Sequence, residues 1–516
     1  GSGGGGGMAV GHYNQRLSMN NVTFDQCTAG GSTGYAVTET GTGTGGGLLI
    51  ISHNTNLTLV DVRFTGCEGF YGGGLCVDSY NEHALLEGLT FDKCRAVGAG
   101  GGLWLEAHNH HLTLSDSSFT QCSARWGGGL YVDTEHQHLL FTTLLVDQCS
   151  ALLQGGGIYV NTRTSLTLTH STLSNCSAGS RGGAAYLVKR NELRVSNCSL
   201  LGNTAADGGA VASYANSFAL FSDTLFLSNV AVGTLGTDTG TGEGGDGGAA
   251  YLLANVDFSF LQCIFESNGA ARNGGAIWVG SEGAGLNIAG STFQSNSASS
   301  SGGALYVEGG NDNMAICDAN TLETRISIQS PHPYAFTGAH IVLRRVHVEN
   351  ATEFILRFSP LSVYAAWDRV RITVETEAGN VTLLDVLGMA PLPGLQLPQL
   401  RIPGDSFLLE MTGSAGAYSS GTSLDDELYG INVYVIPVVP PPSPISTLFR
   451  PTQFLSNTAD RGGGLFMFSN TQFSLMINVR FESNRAAAGG GGAYLRNSMT
   501  AMIMQAVTFE QNHAGT

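Results

Sequence analysis

The sequence predicts an all-β protein: a right-handed parallel β-helix of about 13 coils of about 27 residues, interrupted by an antiparallel β-sandwich. Three observations predict it: a glycine motif with a nearly constant step, a second motif that keeps pace with the first, and one window that holds all 13 prolines. Apolar residues reach 42% and charged residues only 12%, which excludes a disordered chain.

The first motif is a Gly-Gly-small triplet. Between Gly47 and Ala304 its third residue recurs at steps of 26 to 28 residues, with one step of 39 that includes a Gly/Thr-rich stretch around 233–245, and Gly464 and Gly492 are again 28 apart. The glycines up to Gly7 begin the series. It then continues at Gly47, Gly74, Gly102, Gly129, Gly157, Ala184, Ala210, Ala249, Ala276, Ala304, Gly464 and Gly492.

The second motif is an apolar residue, two variable residues and then Cys or Asn. The Cys form ends at Cys27, Cys67, Cys94, Cys122, Cys149 and Cys176. The Asn form ends at Asn203, Asn229, Asn268, Asn296, Asn457, Asn484 and Asn512. Both forms keep the same distance from the glycine triplets, so the two motifs belong to one repeating unit.

Apolar and variable residues alternate between the motifs, as in Leu130-Tyr131-Val132, which is typical of β-strands. Three short strands and three turns account for about 27 residues, so we interpret each repeat as one coil. Coils stack about 4.8 Å apart through strand hydrogen bonds. The glycines permit a tight corner, and the Asn positions suit a ladder of amide hydrogen bonds between coils.

All 13 prolines lie between Pro331 and Pro451, and residues 317–446 lack both motifs. Proline cannot donate to a strand ladder, so this window is predicted to be a different domain. Strand-like runs such as His340–Val346 and Val370–Val374 predict an antiparallel sandwich. The predicted domains are therefore residues 1–316 and 447–516 for the β-helix and residues 317–446 for the insertion, with a stiff proline-rich exit.

The paired Gly-Gly-Ala and Phe-x-x-Asn motifs resemble the repeats of chlamydial polymorphic outer membrane proteins. They also resemble secreted right-handed β-helix proteins of the pectin-lyase-like type. The resemblance covers residues 1 to about 316 and 446–516, and it implies adhesion or scaffolding at a surface. The segments Trp367–Val370 and Ile402–Phe407 resemble a CUB-type domain. Asp368 matches one calcium ligand of that domain, whereas the expected Glu is replaced within Ser362–Tyr364.

The formal charge of −17 and the presence of only two lysines, Lys93 and Lys189, argue against nucleic acid or anionic lipid as partners. No apolar stretch is long enough to span a bilayer. Ten cysteines predict an oxidising, extracellular or cell-surface location. Six sequons predict N-linked glycans, at Asn21, Asn56, Asn175, Asn197, Asn350 and Asn380.

The six cysteines of the second motif occupy one position on successive coils. Stacked Cα atoms about 4.8 Å apart can be bridged by a disulfide, so Cys27–Cys67, Cys94–Cys122 and Cys149–Cys176 are candidate pairs. A buried column of free thiols is the equally weighted alternative.

Two polar columns are candidate cation sites. His83, His111 and His138 have equivalent positions on three coils, and imidazole columns can bind zinc or copper. Asp78, Glu106 and Asp133 form an acidic column, where repulsion raises a pKa or attracts calcium. For both columns the favoured interpretation is a solvated polar surface without a cofactor.

An aromatic column is predicted to face away from the Leu/Val interior. Exposed rings there would stack on sugars or pack against a partner, and the alternative is that they cover the glycine corner or carry the inserted domain. Its members are Trp104, Tyr131, Tyr159, Tyr186, Tyr251, Trp278 and Tyr306.

We interpret the chain as a non-catalytic structural glycoprotein of an extracellular filament, appendage or matrix. Neither end shows a polar cap, so copies are predicted to stack end to end, and other surface glycoproteins are alternative partners. An adhesin that binds glycans through the aromatic column is the first functional alternative, and a polysaccharide lyase or hydrolase is the second. No nucleophile–base pair or phosphate loop is evident in the sequence.

Overall fold

A computed structural model gives the structure of the chain. It describes residues 5–30, 43–215, 218–233, 244–254, 258–281, 286–309, 314–318, 326–329, 340–347, 353–358, 369–376, 379–387, 400–404, 406–413, 432–438, 451–468, 475–496 and 502–515. Two compact units are present: Gly1–Cys317 with Pro451–Thr516, and Asp318–Arg450. The domain boundaries predicted from the sequence were 316/317 and 446/447. Within the described ranges, no helix is long and apolar enough to cross a membrane.

The first unit is a parallel β-helix, as predicted, in which each strand pairs with its equivalents on the neighbouring coils. Among the described residues, three of its sheets contain thirteen strands and a fourth contains twelve. A typical coil therefore has four short strands, whereas the sequence predicted three. The fourth strand follows the Cys/Asn position directly and precedes the glycine triplet.

Sheets 1 and 2 hold the strands that follow the glycine triplet. Sheet 1 consists of Met8–Val10, Leu48–Ile50, Leu75–Val77, Leu103–Leu105, Leu130–Val132, Ile158–Val160, Ala185–Leu187, Val211–Tyr214, Ala250–Leu253, Ile277–Val279, Leu305–Val307, Leu465–Met467 and Ala493–Leu495. Sheet 2 consists of Ser18–Asn20, Thr58–Val60, Leu85–Glu87, Thr113–Ser115, Leu139–Thr142, Ser165–Thr169, Glu192–Ser196, Phe218–Ser222, Phe258–Leu261, Asn287–Ala289, Ala315–Cys317, Leu475–Ile477 and Ile503–Gln505.

Sheets 3 and 4 complete each coil. Sheet 3 consists of Thr23–Asp25, Arg63–Thr65, Thr90–Asp92, Ser118–Thr120, Leu145–Asp147, Thr172–Ser174, Ser199–Leu201, Leu225–Leu227, Ile264–Glu266, Thr292–Gln294, Thr452–Leu455, Val479–Glu482 and Thr508–Glu510. Sheet 4 consists of Glu68–Tyr71, Arg95–Ala99, Ser123–Trp126, Ser150–Gln154, Ser177–Ala178, Thr204–Ala205, Val230–Ala231, Gly269–Ala270, Ser297–Ala298, Thr458–Arg461, Arg485–Gly489 and His513–Ala514.

Single residues in the left-handed backbone conformation turn the chain between these sheets. Asp61, with φ of 53°, separates sheet 2 from sheet 3, and Gly66, with φ of 57°, separates sheet 3 from sheet 4. One residue of this conformation changes the chain direction without a longer loop. The corners recur at equivalent positions, so the coils stay in register.

The interior of the β-helix is a set of vertical columns. Phe64, Phe91 and Phe119 are fully buried, and consecutive rings of this column lie 4.5–4.8 Å apart with their planes within 7°. The column continues across the insertion, because the rings of Phe293 and Phe454 are also stacked, at 4.8 Å. Each coil therefore buries its apolar residues mainly against its two neighbours.

The predicted amide ladder is confirmed. Asn268 Oδ1 accepts hydrogen bonds from the backbone N–H and from Nδ2 of Asn229, both at 3.0 Å. Nδ2 of Asn268 donates to the carbonyl of Phe226. The ladder also crosses the insertion, since Nδ2 of Asn296 donates to Asn457 Oδ1 at 3.0 Å. These buried amides are satisfied only when the coils stack in register.

A second ladder, which the sequence analysis missed, lies in the turn between sheets 1 and 2. The backbone N–H groups of Asn54 and Asn81 donate to the side-chain oxygens of Asn81 and Asn109. His136 takes the next position, where it is fully buried with Nδ1 3.0 Å from the carbonyl of Asn109. Burial lowers the pKa of His136 to about 4, so its ring is neutral at pH 7.

We expect the β-helix to lose about 3 kcal/mol of stability as the pH falls from about 6.5 to 4, because the unfolded chain accepts a proton that folded His136 excludes. The free energy of unfolding measured in denaturant across this range checks it. His136→Asn introduces the residue that occupies the same position on the preceding coils, and it should flatten the profile. An equally steep acid loss in this variant would contradict the assignment.

The second unit contains eight described strands in two antiparallel sheets. One sheet has the order Ile326–Gln329, Asn432–Val438, Glu353–Phe358 and Leu400–Pro403, and the other has the order His340–His347, Ser406–Gly413, Arg369–Thr376 and Gly379–Leu387. Phe354 of the first sheet contacts Phe407 of the second edge-to-face at 5.0 Å, and both are buried. Trp367, Asp368 and Ser362–Tyr364 lie outside the described residues.

The chain leaves and re-enters the β-helix at one corner between sheets 2 and 3. Thr452 Oγ1 donates to the carbonyl of Cys317 at 2.6 Å and accepts from the backbone N–H of Ser291. On the preceding coil the same corner is a single residue, Gly290. The insertion therefore expands one corner and leaves the stacking of the coils uninterrupted.

Candidate functional site

The middle residue of each sheet 1 strand points away from the interior. Leu103 and Leu105 lie in the main core, whereas Trp104, between them, belongs to a separate apolar cluster on the outside. Tyr186, Tyr251 and Trp278 form a second outer cluster. We call this line of outward aromatic residues the outer seam. Its members are Trp104, Tyr131, Tyr159, Tyr186, Tyr251, Trp278 and Tyr306.

Rings of the outer seam stack on one another along the helix axis. Tyr131 and Tyr159 lie 4.7 Å apart, and Tyr251 and Trp278 lie 4.4 Å apart with an angle of 8° between their planes. The ring faces are therefore occupied by neighbouring rings. The prediction of an exposed column is wrong for four of the seven, since Trp104, Tyr186, Tyr251 and Trp278 are all less than 10% exposed.

The ends of the sheet 4 strands cover the outer seam, which explains this burial. Tyr71 stacks on Trp104 at 4.6 Å, and the Arg181 guanidinium lies 5.5 Å from the Tyr251 ring centroid. The glycine corner between sheets 4 and 1 brings these side chains together. A Cβ added at Gly127 would lie 3.1 Å from the Cβ of Tyr131. The aromatic residues thus cover the corner, as the alternative interpretation proposed.

The acidic column borders the outer seam on three successive coils. Glu106 and Asp133 donate their backbone N–H groups to the carbonyls of Val77 and Leu105, both at 2.9 Å. The sheet 1 ladder therefore continues through the column. Asp78, Glu106 and Asp133 are all half-buried. The structure brings this predicted group together.

Glu106 is the perturbed member of the column. Burial, a hydrogen bond to Asp78 and the charges of Asp78 and Asp133 raise the pKa of Glu106 to about 9. Burial also raises the pKa of Asp133, while Nδ2 of Asn161 donates to its Oδ1 at 2.8 Å and opposes the shift. The column therefore contains a carboxyl group, Glu106, that keeps its proton at neutral pH and is hydrogen-bonded to Asp78.

Tyr71 faces the acidic column from the opposite side of the seam. Burial and the charges of Asp133 and Glu106 raise the pKa of the Tyr71 hydroxyl. The site thus combines a proton donor, a carboxylate, a phenol and aromatic rings. This combination can bind a hydroxylated ligand and exchange protons with it.

The histidine column is formed as predicted. The rings of His83 and His111, and those of His111 and His138, are stacked at 5.0 Å with planes within 13°. All three residues are exposed and occupy left-handed corners. Over the described ranges, no group of three or more His, Cys, Asp or Glu side chains is arranged to hold a metal ion. Zinc, copper or calcium binding stays an untested prediction.

A further polar cluster near the seam was missed in the sequence analysis. Asp207 accepts hydrogen bonds from the backbone N–H groups of Gly245 and Asp246, and it pairs weakly with Arg181 at 3.9 Å. Asp246 is almost fully buried and forms an ion pair with Arg272. These contacts hold the C-terminal end of the Gly/Thr-rich stretch, whose residues 234–243 lie outside the described ranges.

The cysteine column consists of free thiols, so the candidate disulfides Cys27–Cys67, Cys94–Cys122 and Cys149–Cys176 are not supported. The Sγ atoms of Cys94 and Cys122 point to the carbonyls of Phe64 and Phe91 on the preceding coil, at 3.4 and 3.5 Å. Cys67, Cys149 and Cys176 make the equivalent contact with the preceding coil, because the coils are in register. From Cys27 to Cys176 the thiols fill the space that asparagine side chains fill on the coils from Asn203 onward.

Four of the six sequons are described in full. Asn21, Asn56, Asn175 and Asn197 are exposed at left-handed corners, where a glycan has room to project. Asn350 and the side chain of Asn380 lie outside the described residues. N-glycosylation stays a prediction.

Residues 126–322 match the protein-family model described as right handed beta helix region. A search of curated proteins finds no match. Among solved structures, the chain is similar to the enzymatically active domain of tailspike protein 4 of bacteriophage CBA120, at 11% identity over 75% of this chain and 63% of that chain, with a TM-score of 0.28. It is also similar to the Dettilon tailspike protein, at 9% identity over 71% of this chain and 87% of that chain, with a TM-score of 0.18.

The chain thus covers less than two-thirds of the first of these structures. The matches support neither the chlamydial repeat nor the CUB-type resemblance. The prediction that the chain is not an enzyme is also withdrawn, because one similar structure is an enzymatically active domain. The chain is an all-β, right-handed parallel β-solenoid, in which residues 126–322 carry the right-handed β-helix region.

Proposed function

We propose that the chain binds a polysaccharide beside the half-buried rings of Tyr71, Trp126 and Tyr131 and hydrolyses it at the acidic column. The observation that carries the proposal is Glu106, a carboxyl group with a pKa of about 9 beside two other carboxyl groups. Glycoside hydrolysis needs a carboxylic acid that stays protonated at neutral pH together with a carboxylate nearby. Asp78 and Asp133 surround Glu106 and supply the second group.

The two roles follow from the environments of the side chains. Glu106, protonated, donates its proton to the glycosidic oxygen as the bond to the leaving sugar breaks. Asp133, which accepts a hydrogen bond from Asn161, acts as the carboxylate that stabilises the positive charge developing on the sugar ring or activates the attacking water. Asp78 acts through Glu106 and is a positioning residue, because its hydrogen bond helps to keep Glu106 protonated.

The aromatic residues beside the column supply a surface for sugar rings. Tyr71, Trp126 and Tyr131 are half-buried, so part of each side chain remains accessible. Sugar rings pack their C–H faces against aromatic side chains and hydrogen-bond with nearby carboxylates and phenols. Both kinds of group meet at this position of the outer seam.

Replacing the proton donor is expected to abolish hydrolysis. For Glu106→Gln we expect kcat to fall by about 10²–10⁴-fold, the usual contribution of a general acid. The measurement is the release of reducing ends from a panel of neutral and acidic polysaccharides. Glu87→Gln is the matched control, because Glu87 is an exposed glutamate on the outer face of sheet 2.

Two results would overturn the proposal: no activity of the unmodified chain on any polysaccharide of the panel, or full activity of Glu106→Gln. Asp133→Asn tests the second carboxyl group in the same assay and is expected to lower kcat by a similar factor. Binding of the polymer, measured by affinity electrophoresis, should persist in Glu106→Gln.

A glycan-binding protein without hydrolysis is the second candidate, favoured by Tyr159 and Tyr306, two half-buried members of the outer seam on coils that lack the acidic column. Polymer binding without release of reducing ends would support it. An extracellular or cell-surface location, N-linked glycans, end-to-end stacking of copies and other surface glycoproteins as partners stay predictions that accompany either function.

A further inference from the structure

A second surface of the chain is formed by the turns between sheets 1 and 2. His83, His111 and His138 form one exposed column there, and a parallel column contains His53, Tyr80 and His108. Rings of the second column are also stacked, His53 on Tyr80 at 5.2 Å and Tyr80 on His108 at 4.7 Å. We call the two columns, with His110 between them, the imidazole strip.

The corner geometry sets the register of the strip. The backbone N–H groups of Arg16, Asn56, His83 and His111 each donate to the carbonyl that precedes the next corner residue along the column. Arg16, Asn56, His83, His111 and His138 therefore form one line along the helix axis. All of them are exposed and have φ of 54–57°. The imidazoles stand 5.0 Å apart, so the strip is a regular linear array.

Several charged groups surround the strip. Glu82 is exposed beside His83, and Glu135 is paired with His108 and Arg163 at 3.1 and 3.0 Å. Burial lowers the pKa of His110, and the neighbouring histidines add to that lowering while Glu82 opposes it. Gln137 donates its backbone N–H to Nδ1 of His110. The acidic column lies close to the strip in the sequence. Asp78 is two residues before Tyr80 and five residues before His83.

The charge of the imidazole strip depends on pH because histidine is its main titratable side chain. Histidine side chains become cationic below about pH 6.5. Neutral imidazoles on a chain with a formal charge of −17 do not attract polyanions. Protonated imidazoles in this array are a line of like charges, with ring centroids 5.0 Å apart, that repel one another. A polyanion lying along the line removes this repulsion, so its binding and protonation of the strip favour each other.

We propose that the imidazole strip is an acid-dependent docking surface for a linear anionic polysaccharide. A linear array of cations fits a polymer whose charges also repeat regularly along a line. Sulfated and carboxylated chains share this chemistry. This surface is separate from the outer seam, and its use does not depend on hydrolysis at Glu106.

The test measures binding of fluorescent dextran sulfate to the full chain at pH 5.5, 6.5 and 7.5 and constant ionic strength. We expect at least about tenfold tighter binding at pH 5.5 than at 7.5, with net proton uptake detected by calorimetry in buffers of different ionisation enthalpy. Uncharged dextran should not bind the strip. Binding independent of pH would overturn the proposal.

The variant that tests the residues is the triple substitution His83→Gln, His111→Gln and His138→Gln. Glutamine occupies left-handed corners elsewhere in this chain, at Gln121 and Gln148, so the fold should tolerate it. We expect the triple variant to lose most of the pH dependence. His170→Gln is the matched control, since His170 is an exposed histidine at a left-handed corner away from the strip.

Three outcomes contradict the proposal. The first is unchanged dextran sulfate binding in the triple variant, and the second is an equal loss in His170→Gln. The third is tighter binding of single-stranded DNA than of dextran sulfate at pH 5.5, which would assign the strip to a nucleic acid. Circular dichroism at each pH separates loss of binding from loss of fold.

Discussion

Gly101→Ala is expected to destabilise the β-helix by about 3 kcal/mol or more, because the new methyl group would collide with backbone that cannot move aside. A Cβ at Gly101 would overlap the carbonyl oxygen of Gly128 and lie 2.6 Å from that of Ser123. Gly128 belongs to the next coil. A Cβ added at Gly128 would in turn collide with the carbonyl oxygen of Gly156 on the coil after that. Relief of the contact therefore requires the coils to separate, which breaks the strand ladders. Denaturant unfolding followed by circular dichroism measures the effect.

Gly102→Ala is the matched control for this substitution. Alanine already occupies the equivalent position in five other coils, at Ala184, Ala210, Ala249, Ala276 and Ala304, where it is fully buried. A Cβ at Gly102 meets the ring of Phe119, which can shift, at 2.7 Å, and the carbonyl oxygen of Gly129 only at 2.9 Å, a milder backbone contact than the overlap at Gly101. We expect less than half the loss seen for Gly101→Ala. Equal losses at the two positions would contradict the explanation by backbone collision.

Asn296→Ala is expected to lower the free energy of unfolding by about 4 kcal/mol, because four hydrogen bonds are lost in a fully buried position. Oδ1 of Asn296 accepts from the backbone N–H and from Nδ2 of Asn268, at 3.0 and 2.9 Å. Its Nδ2 donates to the carbonyl of Phe265 and to Asn457 Oδ1, at 2.9 and 3.0 Å. Alanine leaves these partners buried without water to replace the side chain.

Asn512→Ala provides the comparison within the same ladder. Asn512 accepts from Asn484 and donates to Phe481, but it is half-exposed, so water can satisfy its partners. We expect a loss below about 1.5 kcal/mol there. If Asn296→Ala costs no more than Asn512→Ala, burial of the ladder does not contribute to stability as proposed.

The stacking of the coils was predictable because the repeat leaves little freedom. Equivalent residues recur at a nearly constant step, and only a stacked arrangement buries the apolar positions of every coil. The asparagine ladder followed from the same register. Cys and Asn can occupy the same position because both side chains can donate to a buried carbonyl of the preceding coil. Cys94 points to the carbonyl of Phe64, and Asn268 donates to the carbonyl of Phe226.

The fourth strand of each coil was missed, although the sequence carries an indication of it. Buried residues are two apart within a strand, as Val62 and Phe64 are, but they are three apart across a single-residue corner. Leu59 to Val62 and Phe64 to Cys67 both have this longer spacing. A corner of one left-handed residue needs neither Gly nor Pro, so a search for turn residues does not detect it.

The candidate site was predicted in part. Asp78, Glu106 and Asp133 were recognised as one column because they share a position in the repeat. Their proximity to Tyr71 could not be deduced in this way, because Tyr71 lies on a different sheet and approaches only through the fold of the glycine corner. The burial of Trp104 was missed for the same reason. The alternation of apolar and variable residues indicates on which side of a strand a side chain lies, but not which other side chains cover it.

By itself, the sequence determined the repeating coil, its thirteen copies, the ladders along it and the place where the insertion interrupts it, because each of these depends on residue spacing along the chain. The tertiary structure alone decided which outward side chains are covered, which carboxyl group holds its proton and whether the cysteines stay free. These properties depend on burial and on neighbours from other sheets. The spacing of residues within one coil does not show how two sheets meet at a corner.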